Sequence, residues 1–280
     1  MLKAIGAPFK IEYSSSGSLP PKTFKWSKDL GIADVHIDNG LLRGANGSKA
    51  KNKFGWFCES RIVKHNIFTD IKNNLVKYKN SYNKIFTCDE FLIELDRELF
   101  EFCYSGSNLP WTPLEDQKLH NKTKLVSLLA SANQSTEGHI SRIKLAEKYK
   151  NSVDLYGGIF GSKKVGTSGV EHYHHKSKAE ALNDYMFSIT IENFKYDTYF
   201  TEKVTDCFAT GTIPVYYGTK KISNYFDSNG IIFLDDSFDI STLTADLYYS
   251  KLTAVKNNLE KIKSFVGADD FIYNKIKDLI

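Results

Sequence analysis

Lys203 follows Thr201 and Glu202 at the head of TEKVTDCFAT (201–210). Val204, Cys207 and Phe208 fall at i, i+3 and i+4 in that run and mark one apolar helix face. Thr201 is a natural N-cap, Gly211 a natural stop, and Pro214 opens the strand that follows. A helix N-terminus is already electropositive, so a lysine in its first turn is mildly unfavourable unless an anion lies beside it. A bound phosphate is such an anion, taking up the unpaired N–H groups, the helix dipole and the ammonium together. Glu202 can accept two hydrogen bonds from a ribose diol, as acidic residues do at other nucleotide sites on parallel sheets. Tyr199 and Phe200 offer flat apolar faces to a base or sugar ring. Taken singly, an exposed Lys–Glu pair on a surface helix explains Lys203 and Glu202 as well. The unbroken order strand, Glu192–Asn193, aromatics, Thr–Glu–Lys, helix, glycine, strand, proline favours the ligand. Arg142 supplies a second cation, one turn into HISRIKLAEKYK (139–150) and downstream of Ser131 and Asn133. Arginine suits bidentate phosphate contacts. Lys144, Lys148 and Lys150 nearby make a solvated helix face the plain alternative for it.

Such residues need a sheet edge to converge on. Apolar runs at 125–131, 152–157, 187–192, 212–218 and 231–234 alternate with helix-patterned segments at 139–150, 178–185 and 201–210. That alternation predicts a parallel sheet, whose ligands bind at the carboxyl ends of its strands. Ser131 and Asn133, Gly157 and Gly158, Glu192 and Asn193, and Gly218 occupy those ends. Before this series, FGWFCES (54–60) and Ile85–Thr87 read as strands, and 64–78 has helical spacing through Ile67, Ile71, Leu75 and Tyr78. The first 55 or so residues read as irregular, with SSSGSLPPK (14–22) and RGANGSKAKNK (43–53) as loops. Pro110, Pro113 and a charged run over 108–124 predict the interdomain link. The expected division is therefore 1–115 and 116–280, the second domain ending in amphipathic helices. The fold class expected is α/β, two Rossmann-like domains facing a cleft, with the C-terminal helices packing back.

Composition narrows the function classes. The 280 residues are 41% hydrophobic and 25% charged, enough for two cores. A net charge of +4 makes no case for nucleic acid but leaves room for an anionic small molecule. Cys58, Cys88, Cys103 and Cys207 form no CxxC pair, which argues against a zinc site or a disulfide framework. MLKAIGAPFK has no signal-peptide core, and no run nears the ~18–20 apolar residues of a membrane span, so a soluble, cytoplasmic protein is expected. EHYHHK (171–176) gathers His172, His174 and His175, but nothing nearby completes a metal shell, so no metal is expected. GTSGV (166–170) lacks the ending of a phosphate-binding Walker loop. Trp56 and Trp111 have faces suited to stacking on a sugar ring, though buried packing is the default for both.

IEN at 191–193, YFTEK at 199–203, TIPVYYG at 212–218 and ISNYF at 222–226 resemble the donor-binding signature of glycosyltransferase family 10, the α-1,3/1,4-fucosyltransferases. The match is dense over 183–234, fair over 122–149, and loose over the first 115 residues. The resemblance implies two Rossmann-like domains of GT-B type, an acceptor-side one over 1–115 and a donor-binding one over 116–280, and transfer of fucose from GDP-fucose to a hydroxyl of an oligosaccharide acceptor, with inversion. It implies no cofactor beyond that donor substrate, because Arg142 and Lys203 would hold the diphosphate. Glu202 would hold the ribose, and Asn193 and Tyr199 would line the nucleotide and sugar. The family's general base is a glutamate after a strand of the N-terminal domain, which points to Glu59 in WFCES, with Asp89 and Glu90 as fallbacks. A transferase with another nucleotide-sugar donor, or a catalytically silent nucleotide- or carbohydrate-binding module, is the alternative.

Overall fold

The computed structural model describes residues 1–12, 14–15, 19–47, 49–157 and 176–280. The first strands and helices are β1 (Leu2–Ile5), β2 (Trp26–Ser27), β3 (Asp34–Ile37), α1 (Asn39–Gly44), β4 (Lys53–Phe57), α2 (His65–Asn73) and α3 (Leu75–Lys79). They continue through β5 (Lys84–Thr87), α4 (Glu90–Leu95), β6 (Phe100–Phe102), β7 (Lys124–Leu129), α5 (Glu137–Tyr149), β8 (Asp154–Tyr156) and α6 (Lys176–Leu182). The rest are β9 (Tyr185–Ile191), α7 (Glu202–Thr210), β10 (Ile213–Tyr217), β11 (Ile232–Phe233), α8 (Ala245–Ser250), α9 (Leu252–Lys263) and α10 (Ala268–Ile276). The expected α/β class is present, as two wholly parallel sheets.

Backbone contacts divide the chain into Met1–Asn108 with Val266–Ile280, and Leu109–Phe265. This differs from a division after residue 115, and it returns the last helix to the first unit. Ala268, Ile272 and Ile276 of α10 are fully buried there, in one core with Leu2, Trp26, Val35, Ile37 and Trp56. Helical spacing marks an apolar face but does not say which sheet the face covers.

In the first unit the strand order is β2-β1-β3-β4-β5-β6. The expectation of an irregular first 55 residues is corrected by β1, β2, β3 and α1. Strands of two to four residues are too short to show a period in sequence, and they form here because neighbouring strands complete their hydrogen bonds. The helix expected over 64–78 is broken at Asn74 (φ −125°) into α2 and α3.

In the second unit the order is β11-β10-β9-β7-β8. The chain leaves β7 to one side for β8 and returns on the other for β9. A crevice therefore opens between the carboxyl ends of β7 and β9, where the winding reverses. Val126, Leu128, Phe187, Ile189, Ile213 and Val215 build the core beneath it. Thr201 caps α7 and Gly211 ends it in the left-handed conformation (φ 69°), both as expected. Lys122, buried, ties the ends of α6 and α7 together: its Nζ donates to the carbonyls of Leu182 (3.1 Å), Asn183 (3.0 Å) and Thr210 (2.8 Å).

Candidate functional site

A cavity of about 140 Å³ occupies the crevice at the ends of β7 and β9. Its polar lining includes Ser131, Arg142, Lys178, Glu202, Lys203 and Asp206, with Trp111 beside them. Among the described residues, three cations and two carboxylates thus share one small space at the N-terminus of α7.

Arg142 reaches the cavity because α5 begins hard against β9. The Gly138 N–H donates to Asn193 O (3.1 Å), and a Cβ at 138 would lie 1.9 Å from Glu192 O. Only glycine permits that approach. One turn on, Arg142 Nε donates to Ile191 O (3.0 Å) and its Nη2 to Asn193 Oδ1 (2.8 Å). The guanidinium is thereby fixed against the end of β9, and Asn193 acts as its orienting partner. Next to it, Thr136 caps α5 by accepting from the His139 N–H (3.2 Å), and its hydroxyl lies 2.7 Å from His139 Nδ1. Burial, then Arg142 and Lys203, push the His139 pKa down to about 4, so the ring is neutral at pH 7.

Lys203 stands in the first turn of α7. Its Nζ donates to Glu202 Oε1 (3.3 Å) and Thr201 Oγ1 (3.2 Å) and lies 3.8 Å from Glu192 Oε2. The fold itself therefore supplies anions beside this lysine, so its first-turn position does not by itself call for a ligand. Glu192, expected on the ligand side, is fully buried. It accepts from Thr201 N (2.9 Å), Thr201 Oγ1 (2.7 Å) and Tyr216 Oη (3.4 Å). Burial raises its pKa while Lys203 pulls the other way. Glu192 braces the cap of α7 from below.

Tyr199 and Phe200 are 1% and 2% exposed, their rings packed on Tyr196 and on Phe226 and Phe265. They serve as packing in the loop before α7, where stacking faces were expected. Ser131 lines the cavity, whereas Asn133 is exposed, is not part of the lining and accepts from Ser135 N (3.0 Å). Trp56 is core, and Trp111 lines the cavity. The His172, His174, His175 cluster, Gly158 and the GTSGV stretch lie outside the described residues.

Two further residues belong to the site. Lys178 of α6 is 7% exposed, with Nζ 2.5 Å from Asp206 Oδ2, 3.4 Å from Glu202 Oε1 and 4.9 Å from the Trp111 ring centroid. Burial opposes its charge, but Asp206 and Glu202 outweigh burial and hold its pKa above the usual value. Asp206 Oδ1 accepts from Trp111 N (2.7 Å), Thr112 N (2.7 Å) and Thr112 Oγ1 (2.8 Å). A signal for both exists in the sequence. Lys178 shares a helical face with Ala181 and Leu182, and Asp206 stands four residues after Glu202 on a buried face.

In the first unit, Glu59 is half-buried just past the end of β4, and its Oε1 accepts from Ser60 N (2.7 Å). Its turn is held by Asp38, which accepts from Cys58 N (2.9 Å) and Glu59 N (3.5 Å). Asp38 has φ 42°, a strained conformation for a non-glycine residue. The fallbacks are otherwise engaged. Asp89 caps α4 and pairs with Arg61 (2.7 Å), and Glu90 pairs with the same guanidinium (3.2 Å).

Residues 119–265 match the model of the glycosyltransferase family 10 (fucosyltransferase) C-terminal region, more than half of the chain. The chain belongs to glycosyltransferase family 10. Every cavity residue named above except Trp111 falls inside the family match, and Glu59 falls outside it. Among curated relatives, the alpha-(1,3)-fucosyltransferase FucT of Helicobacter pylori is 33% identical over 64 residues, 23% of this chain and 13% of that protein. The 4-galactosyl-N-acetylglucosaminide 3-alpha-L-fucosyltransferase 9 of Bos taurus is 27% identical over 158 residues, 55% of this chain and 40% of that protein. The chain thus spans well under half the length of these relatives. A crystal structure of an alpha1,3-fucosyltransferase superposes with a TM-score of 0.50 at 16% identity, covering 92% of this chain and 80% of that one. That likeness is one of fold, and it agrees with the pair of parallel α/β sheets expected of a GT-B-type member of the family.

Proposed function

We propose that the cavity at the ends of β7 and β9 binds the nucleotide end of GDP-fucose, and that the protein transfers fucose to a hydroxyl of an acceptor glycan with inversion. One observation carries this reading: Arg142 and Lys203, from different helices, meet in one cavity at the switch point of a parallel sheet, beside the N-terminus of α7. That is the charge arrangement a leaving diphosphate needs. Glu202 is assigned to the ribose diol. In the transfer step the acceptor oxygen bonds to the sugar's anomeric carbon as the bond from that carbon to the diphosphate oxygen breaks. GDP leaves with the electron pair, and the acceptor proton passes to Glu59 as general base. Family membership supports GDP-fucose as the donor.

A thermal-shift panel of GDP, UDP, ADP and CMP tests the donor, with a response to GDP alone expected. Arg142→Ala and Lys203→Ala are each expected to weaken GDP binding by roughly tenfold or more, since charge-assisted contacts are lost. Glu59→Ala is expected to keep GDP affinity and lose transfer. Unchanged GDP affinity in both cation variants would sink the donor-site assignment.

A further inference from the structure

Glu202 and Asp206 are the acidic side chains lining the cavity among the described residues, and a carboxylate recognises a diol best when its plane is fixed before the ligand arrives. Two ammonium groups meet its Oε1: Lys203 at 3.3 Å from its own helix, and Lys178 at 3.4 Å from α6. They differ in kind. The Lys203 side chain is 23% exposed, whereas the Lys178 side chain is 9% exposed and pinned on its far side by Asp206 at 2.5 Å. Asp206 is in turn immobile, its other oxygen saturated by Trp111 N, Thr112 N and Thr112 Oγ1. The indole of Trp111 closes over the ammonium at 4.9 Å. A rigid polar chain therefore runs from the backbone at 111–112 through Asp206 and Lys178 to Glu202.

We propose that Lys178 is a positioning residue that sets sugar specificity at the nucleoside: clamped between Asp206 and Glu202, its ammonium holds the Glu202 carboxylate where it meets a ribose diol, so that the site distinguishes a ribonucleotide from its 2′-deoxy counterpart. Lys203, the more exposed of the two, acts on the diphosphate and is indifferent to the 2′-hydroxyl. Lys178, tied on both sides, acts on the ligand through Glu202. The inference rests on the GDP-binding reading above.

The test is a pair of dissociation constants, for GDP and 2′-deoxy-GDP, measured by calorimetry on the full chain. The unmodified protein is expected to favour GDP by roughly ten- to a hundredfold, the range for a hydrogen bond to a charged group. Lys178→Met is expected to cut that preference at least tenfold, as Glu202→Gln does, while Lys203→Ala weakens both ligands equally and keeps the ratio. Removing Lys178 alone leaves Asp206 buried without its cation, which can prevent folding. The double variant Lys178→Met/Asp206→Asn removes that charge, keeps an oxygen for Trp111 and Thr112, and is expected to show the same collapsed ratio. A folded variant with the original ratio overturns the role of Lys178 and leaves the donor reading standing. An equal loss for both ligands does the same. Absence of GDP binding by the unmodified protein overturns the donor reading itself, and this inference with it.

Discussion

Asp269, in the first turn of α10, is 2% exposed and accepts from Ser15 N (3.3 Å), Ser15 Oγ (2.5 Å) and Trp26 Nε1 (2.6 Å). Those donors favour the carboxylate, but burial outweighs them and pushes the pKa up to about 6. The native state therefore keeps a proton that the unfolded chain has given up between about pH 4 and 6. The resulting contribution is intact below the unfolded pKa and is lost as pH rises through the native one. It amounts to about 3 kcal/mol at most. Urea unfolding at pH 4 and pH 7 is expected to show the unmodified protein losing stability relative to Asp269→Asn over that interval. Parallel pH profiles for the two would refute the assignment. The same scale shows what sequence can and cannot reveal of the site. Arg142, Lys203 and Glu202 were legible because type and helix position together imply a task, and the structure brings them to one cavity. Glu192 and Tyr199 were misread because a side chain's direction, inward to Thr201 or outward to ligand, is set by packing that residue type does not encode.

Among the elements, the start of α5 is the most demanding fit. Alanine favours helix over glycine by about 1 kcal/mol, so on propensity alone Gly138→Ala should stabilise the protein. The Glu192 carbonyl only 1.9 Å from the new Cβ reverses that expectation. The helix must retreat from β9, and Arg142 retreats with it, away from Ile191 O and Asn193 Oδ1. GDP affinity is expected to fall at least tenfold with the helical circular dichroism kept, since a small displacement of a charged contact is enough. A more stable variant with unchanged affinity would show that the approach is not needed. Long apolar runs and caps made α7, β9 and β10 legible: Thr201, Gly211 and Pro214 punctuate them, and the two strands run seven and five residues. β1 and β2 were not legible, because Leu2–Ile5 and Trp26–Ser27 hold their strand form through parallel partners more than twenty residues away. For Lys178 the sequence shows only a place on an apolar helix face; its pairing with Asp206 and Glu202 on another helix comes from the fold.

At the scale of the whole chain, the first unit is discontinuous. Ile272, fully buried among Leu2, Trp26 and Trp56, belongs to a core whose members outside α10 lie before residue 109. Ile272→Ala is expected to cost about 2–5 kcal/mol, the usual range for a buried truncation, measured as a lower unfolding midpoint. An unchanged midpoint would mean that α10 is not part of that core. The pairing of two parallel sheets was legible from the alternation of strands and helices. The place of α10 was not, because an amphipathic helix carries no address. Its position also reverses the usual schedule of synthesis, in which the N-terminal domain folds first as the chain emerges. The core that begins at Leu2 cannot close until Ile276 has left the ribosome, by which time residues 109–265 are already complete. Any product that stops before α10 carries a finished second unit and a first unit with its apolar face open, a natural substrate for chaperones and a source of aggregation.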